Sequence, residues 1–414
     1  MAWWRSAEST RQIFKTIKAG AGTINSFCKI TLTDQSEYRS SIKKLLTFPG
    51  IVALLALDCA APAVAAPKDF NHGKLAETAK TKFIVPGYQK FGAALGDLSA
   101  ELSKLCAGPD KPALISTREA YRKVIAAWGT VEIINFGPVA EDNRFDRIFY
   151  WPDRKGRGRR QVLRLLKKRD PSALSAASLV KKSVAVQGLT ALEIILSGKT
   201  SEPLVAASDE GYSCQYARAI VKNVSMINTA VIKEWTSADS FAKLWSNPGP
   251  SNPVYLSGTE TTLELVKALD IGIENVRDKR IAPILGVGPK RRTSRSILWR
   301  SKSSMTLIHA NIAALYNLFF QAGISDAFIG SQPDETVAAK YYITSVKKEF
   351  DMPLEIAAEL LGHADPFPKR EVKVEIANRL LAAGFHLKEV RVNNIPDIKR
   401  AAGLVVGFNA SDGD

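Results

Sequence analysis

The chain has 414 residues, 46% of them apolar and 24% charged, and a net charge of +16. This is ordinary globular composition, sufficient for one large or two medium cores, and its basic surface favours anionic partners without choosing among nucleic acid, acidic lipid and small ligands. Strand-type alternation is scarce and stretches rich in Ala, Leu, Lys and Glu are common, so the predicted class is all-α.

In chain order, the first signal is a leader. Arg39, Lys43 and Lys44 precede the apolar run Leu45–Leu57, and Ala63-Val64-Ala65 follows. That is a basic region, a short apolar core and a small-x-small cleavage site, as in a signal peptide. Residues 1–65 are therefore expected to be a leader for export to the periplasm or cell envelope. The other readings of the run are a core helix or an uncleaved anchor, although it is shorter than the roughly 20 residues of a membrane span. Residues 1–38 do not resemble a signal region, so the natural start is expected near residue 39. Asp58 before Cys59 is a poor context for lipid attachment. Cys28 and Cys59 would leave with the leader. Cys106 and Cys214 would then face an oxidising compartment, as one intramolecular disulfide or as two separate buried thiols.

Periodicity and breakers place helices at about 70–104, 113–135, 158–168, 172–197, 208–236, 257–279, 303–322, 333–348, 352–362 and 370–385. Pro86-Gly87 should break or kink the first. Gly137-Pro138 stops the second, and Trp151-Pro152-Asp153 marks a loop. Beyond the leader no segment reads as a membrane span. The stretch Ser246–Gly258 is rich in Pro, Gly, Ser and Asn, and predicts a boundary between helical bundles at 66–245 and 258–414.

Four regions could carry chemistry. In the helix predicted at 172–197, Leu189, Thr190, Glu193 and Ser197 share one face. Glu193 is set among apolar neighbours, where a carboxylate is costly unless hydrogen-bonded, paired or metal-bound. It reads either as a ligand-binding or metal-binding acid, with Thr190 orienting a ligand one turn earlier, or as a packing ion pair. Gly188 could allow a close helix approach. The second region, Asn135 to Asp153, is dense in polar and aromatic residues. Asn143, Arg144 and Trp151 stand out there, Arg144 as a partner for Glu193 or for an anion, with an ordinary capped connection as the alternative. The third, Arg154–Arg169, holds nine Lys/Arg in sixteen residues. No aromatics interleave with these charges, so it reads as a solvated helix with Val162, Leu163, Leu165 and Leu166 facing the core, and no nucleic-acid partner is expected. The fourth is Trp299-Arg300-Ser301 before Ser303 and Ser304, which is either an anion site at a helix start or a plain N-cap.

No HExxH, CxxC, GxSxG or Walker loop occurs. With few His and Cys, zinc or copper chemistry is disfavoured, whereas carboxylates and hydroxyls suit harder cations such as ferric iron. His309 reads as a core histidine.

These regions, in this order, resemble the imelysin-like family. Its signature, GxHxxE, reads Gly188-Leu189-Thr190-Ala191-Leu192-Glu193. Phe136-Gly137-Pro138, Glu141-Asp142-Asn143-Arg144, Phe149-Tyr150-Trp151-Pro152-Asp153, Lys155–Gln161, Leu285-Gly286, Trp299-Arg300-Ser301 and Gly407–Asp414 are also similar. The resemblance spans about 70–414. It implies a two-domain helical fold with the signature near the domain interface, export, and association with iron uptake. The family was named as metallopeptidases by analogy of its His and Glu with zinc motifs. Thr190 in the His position removes the imidazole, which argues against hydrolysis. The resulting expectation is a non-catalytic binding or accessory protein for iron acquisition, with iron as the candidate cargo and transport or envelope proteins as partners. The alternatives are a divergent metallopeptidase and a structural envelope protein whose basic face meets anionic lipid.

Overall fold

The structure, a computed structural model, describes residues 69–206, 211–285, 296–332, 337–362 and 374–404. The expected leader, Cys28, Cys59, Gly286 and Gly407–Asp414 lie outside the described residues. The main helices are α1 (His72–Ala79), α2 (Val85–Ala107), α3 (Lys111–Val131), α4 (Arg157–Lys168), α5 (Leu189–Leu196), α6 (Tyr212–Thr236), α7 (Gly258–Glu274), α8 (Ser304–Phe320), α9 (Val337–Gly362), α10 (Val374–Glu389) and α11 (Ile395–Ala401). Shorter helical pieces join them, and every regular element among the described residues is helical.

Three prolines explain the long helical runs. Pro86, Pro283 and Pro396 each stand two residues after a π-helical turn, at Lys80–Ile84, Asn275–Ile281 and Val390–Asn394. Proline lacks an N–H and its ring crowds the carbonyl four residues back. A widened turn just before it relieves that crowding without ending the helix. The break or kink expected at Pro86-Gly87 is such a turn, and α1 runs through it into α2. The helix predicted to end at 385 likewise continues through its π turn into α11. Pro353 lies inside an unbroken α9, where two helices were expected.

The helix predicted over 172–197 is not continuous. It is replaced by short turns at Pro171–Ala173, Ala176–Leu179 and Val184–Val186 before α5. Ser175 and Ser183 accept from the N–H groups of Ser178 and Ala185 and so restart the helix each time.

The packing order is α6, α2, α3, α8, α9, α10, each helix against the next. The buried face of α2 carries Tyr88, Phe91, Leu95, Leu98, Leu102 and Leu105 at helical spacing. Burial of each contributes about 2 kcal/mol. The α3–α8 contact joins the two expected bundles. It depends on Gly129, where a Cβ would lie 2.7 Å from Ala310 Cβ and 3.2 Å from Leu307 Cδ1. Residues Ala65–Asp414 form one compact unit, and its hydrophobic core extends without interruption across the Ser246–Gly258 link.

Buried charge reinforces the same seam. Arg280, on the second π turn, donates to Glu132 just after α3 and to Asn311 of α8, and Asn311 also donates to Gly129 O at 2.8 Å. On the third π turn, Arg391 pairs with Asp270 at 2.5 Å and Glu274 at 3.0 Å on α7. Cys106 at the end of α2 and Cys214 at the start of α6 form a disulfide. One sequence reading needs correction. Ser304–Gly330 is long and apolar enough to cross a membrane, and 56% of its most apolar window is buried inside the protein.

Candidate functional site

The start of α5 is fixed by a backbone contact. A Cβ on Gly188 would lie 2.3 Å from Ile148 O and 2.5 Å from Arg147 O, so only glycine lets the second region's chain pass this close. Around it, Arg147 donates to Gln187 Oε1 at 3.1 Å and to Asn223 Oδ1 at 3.2 Å. Asn223 in turn donates to Gln187 O at 3.3 Å. Gly188 therefore packs against the backbone of the second region, outside the cavity lining described below. At the other end of α5, Arg118 Nε donates to Leu196 O at 2.7 Å, which satisfies a terminal carbonyl. Between these ends every residue of α5 except Thr190 is buried.

Glu193 is 4% exposed. Its Oε1 accepts from Arg300 N at 3.0 Å, Ser301 N at 3.0 Å and Ser301 Oγ at 3.1 Å. Its Oε2 lies 3.9 Å from the Arg300 guanidinium. Leu298 and Lys302, at φ 53° and 57°, bracket this turn, and the two N–H groups between them converge on one oxygen as in an anion-binding nest. Burial pushes the Glu193 carboxyl above its ordinary pKa, while Ser301 and Arg300 pull it down. The anion site expected at the start of α8 is thus already filled, by an acid of the chain itself and one turn earlier than predicted. Ser303 and Ser304 do not cap α8. Ser303 Oγ donates to Ser301 O at 3.3 Å, and Ser304 Oγ donates to Ile297 O.

Beside Glu193 lies a cavity of about 170 Å³. Its walls include Thr190 and Glu193 of α5, Tyr150 and Trp151, Asp153 and Arg159 at the start of α4, and Trp299 and Arg300. The Arg300 guanidinium stacks 4.5 Å from the Trp299 ring centroid. Asp153 accepts from Gly158 N at 2.9 Å and Arg159 N at 3.0 Å, which caps α4. Both carboxylates are therefore held by N–H groups of the chain. Arg159 forms no ion pair with any carboxylate of the described residues, so the cavity wall carries an unpaired guanidinium beside its two hydrogen-bonded carboxyl groups.

The structure gathers Thr190, Glu193, Trp151, Trp299, Arg300 and Ser301, and leaves two candidates elsewhere. Arg144 pairs with Glu234 of α6 at 2.9 Å and donates to Pro138 O at 2.9 Å, so it clamps the loop to α6 and is not Glu193's partner. Asn143 is exposed, at φ 53°, outside the cavity. Glu193 was also expected as a candidate metal ligand. Oε1 is occupied by three donors, Oε2 faces a guanidinium, and no group of three His, Cys, Asp or Glu gathers among the described residues. Tyr150, Asp153 and Arg159 were not singled out from sequence. Asp153 lay within a segment read as a loop, and Arg159 within a uniformly basic helix. His309 is half-buried on α8, and burial lowers its pKa. Val162 of α4 is buried, with Leu163, Leu165 and Leu166 packed partly against the core.

The sequence pattern of imelysin matches residues 84–360. The chain belongs to the imelysin family. Two solved structures share its fold. One is an imelysin-like protein from Psychrobacter arcticum 273-4, 19% identical, with a TM-score of 0.62, covering 83% of this chain and 100% of its own. The other is a candidate iron-regulated protein A precursor from Parabacteroides distasonis ATCC 8503, 13% identical, with a TM-score of 0.64, covering 82% and 97%. No curated protein matches. Within the GxHxxE pattern that the sequence resembles, this chain keeps the Gly and the Glu at buried positions and differs at the half-buried Thr190, which lines the cavity together with Glu193.

Proposed function

We propose that this imelysin-family chain is an exported, non-catalytic binding or accessory protein of iron acquisition, and that its cavity takes a small anionic ligand, such as the acidic group of an iron chelate. The observation that carries this reading is the fate of Glu193. A carboxylate enclosed by two backbone N–H groups and a serine hydroxyl is a scaffold acid, and its three bonds leave it poorly suited to a zinc ion. Thr190 supplies a hydroxyl where the family signature has an imidazole, and a hydroxyl is a weak zinc ligand. Arg159 and Arg300 supply the charge, while Trp151, Trp299 and Tyr150 supply flat walls. The imelysin fold and the iron-regulated neighbour support the iron context and export.

The test is elemental and mass analysis of the protein purified gently from its own envelope fraction. Wild type should carry iron or an anionic ligand, and Arg159→Ala should lose it while remaining folded. Undiminished retention by Arg159→Ala, or cleavage of casein that a chelator abolishes, would refute the proposal. The second outcome would favour a metallopeptidase.

A further inference from the structure

Helix α4, with the sequence RGRRQVLRLLKK, has two opposed faces. Gly158 and Val162 are buried, and Leu163, Leu165 and Leu166 pack partly against the core. Arg157, Arg160, Arg164, Lys167 and Lys168 are all exposed. At 100° per residue these five cations fall within an arc of about 100°, along about 17 Å of helix. The face has no acid of its own. No Asp or Glu lies between Asp153 and Asp170, and none of the five cations forms an ion pair with a carboxylate of the described residues.

Four other helices match a cation with a carboxylate one turn away: Lys104 with Glu101 on α2, Arg122 with Glu119 on α3, Lys267 with Glu264 on α7 and Lys347 with Asp351 on α9. On α4 the neighbours one turn apart are Arg157 and Arg160, Arg160 and Arg164, and Arg164 and Lys168. They repel each other and weaken the helix. Arg157 and Arg160 also stand at its positive end, where no acid lies in the first turn. Helix stability does not account for this pattern.

We infer that the outer face of α4 docks the chain on an anionic phospholipid surface. Two features select a bilayer over an acidic protein. A protein interface has an apolar centre, and no large apolar side chain of α4 is exposed. A row of cations on one side of a helix meets a field of head-group phosphates all at once, with no need for a matching pattern of acids. The contact is electrostatic and shallow, because a helix that enters a leaflet offers it an apolar face, and the apolar face of α4 is already used by the core. No aromatic residue stands between the cations to stack on bases. Arg159 lies off this face and lines the cavity, so docking and cavity binding draw on different side chains of one helix.

The inference does not depend on the ligand of the cavity. It is tested on the full chain by co-sedimentation with vesicles of mixed phosphatidylglycerol and phosphatidylcholine, against vesicles of phosphatidylcholine alone. Binding should require phosphatidylglycerol and disappear at about 0.5 M salt, where the screening length is about 4 Å. Each cation at the surface contributes about fivefold, so Arg164→Gln with Lys168→Gln should weaken binding about 25-fold with an unchanged melt. Arg218→Gln with Lys222→Gln removes the same charge from two exposed positions on α6, and should weaken it less than about twofold. Failure of wild type to bind phosphatidylglycerol vesicles overturns the inference. Equal weakening by the two double variants also overturns it, and would assign the attraction to net charge. So does binding that survives both salt and the α4 change, which would assign it to insertion of the apolar run Leu45–Leu57. Tighter binding of duplex DNA at equal phosphate, lost in the same α4 variant, would overturn it in favour of a nucleic-acid partner.

Discussion

Replacing Glu193 separates its two roles, as acceptor and as charge. Glu193→Ala removes the acceptor of the Arg300 and Ser301 N–H groups, 3.0 Å away in both cases. The Ser301 hydroxyl can still donate to Leu298 O at 3.1 Å. Two donors lose their partner, at about 1–3 kcal/mol each, and water entering the adjoining cavity offsets part of that. A net loss of about 3 kcal/mol is expected, which lowers Tm by about 4 °C for a unit of this size. Glu193→Gln keeps an acceptor oxygen in place and should cost about 1 kcal/mol at neutral pH. The two variants also differ from wild type in pH dependence. Because burial raises the carboxyl pKa above 4.5, the folded chain binds this proton more tightly than the unfolded one. Glu193's contribution to stability therefore falls as pH rises from about 4.5 through the raised value. Glutamine has no such dependence, so Glu193→Gln should gain on wild type across that window. Thermal melts from pH 4 to 8 measure this. An alanine variant that melts with wild type, or a glutamine variant that loses ground as pH rises, would refute the account of Glu193 as a buried tether.

Other consequences follow from the packing. Gly188→Ala forces a methyl to within 2.3–2.5 Å of two carbonyl oxygens, and should destabilise by about 3 kcal/mol in chemical denaturation. Glu132→Leu leaves Arg280 buried without its carboxylate, and should cost about 3–5 kcal/mol; adding Arg280→Met should recover much of that loss. Reducing Cys106–Cys214 opens a link between residues 108 apart. Loop entropy puts its contribution at up to about 4–5 kcal/mol, and 2–4 is the common range. Melts with and without reductant read the difference.

What the sequence made legible was set by the range of the interactions. The all-helical class, the amphipathic face of α2 and the burial of Glu193 all follow from local apolar spacing. The break-up of 172–197 did not, because Ser175 and Ser183 fit a helical pattern and restart the chain only through their side-chain caps. The break or kink expected at Pro86-Gly87 is a π turn that keeps the helix running, since the flanking helices are held by tertiary packing. The partner of Glu193 was misassigned to Arg144. Both arginines lie in charged segments, and only the fold shows that 107 residues separate Glu193 from the turn that holds it. Arg159 was hidden among eight other cations, and its distinction is positional.

The imelysin signature in this chain divides by direction. Gly188 faces the Arg147–Ile148 backbone and serves the scaffold, whereas Glu193 is held by the 300–301 turn and also borders the cavity. Thr190 is half-buried and borders the cavity. A change at 190 should therefore alter what the cavity holds while sparing the fold, and the opposite should hold at 188. Thr190→His tests this directly. Stability should move by less than about 1 kcal/mol, as for a site with no buried partner, while retention of the bound ligand changes. If the histidine also yields chelator-sensitive cleavage of casein, Glu193 must have left the turn to join it, and the tether would be weaker than its three hydrogen bonds imply. If Thr190→His unfolds the chain, position 190 belongs to the scaffold after all, and the division fails.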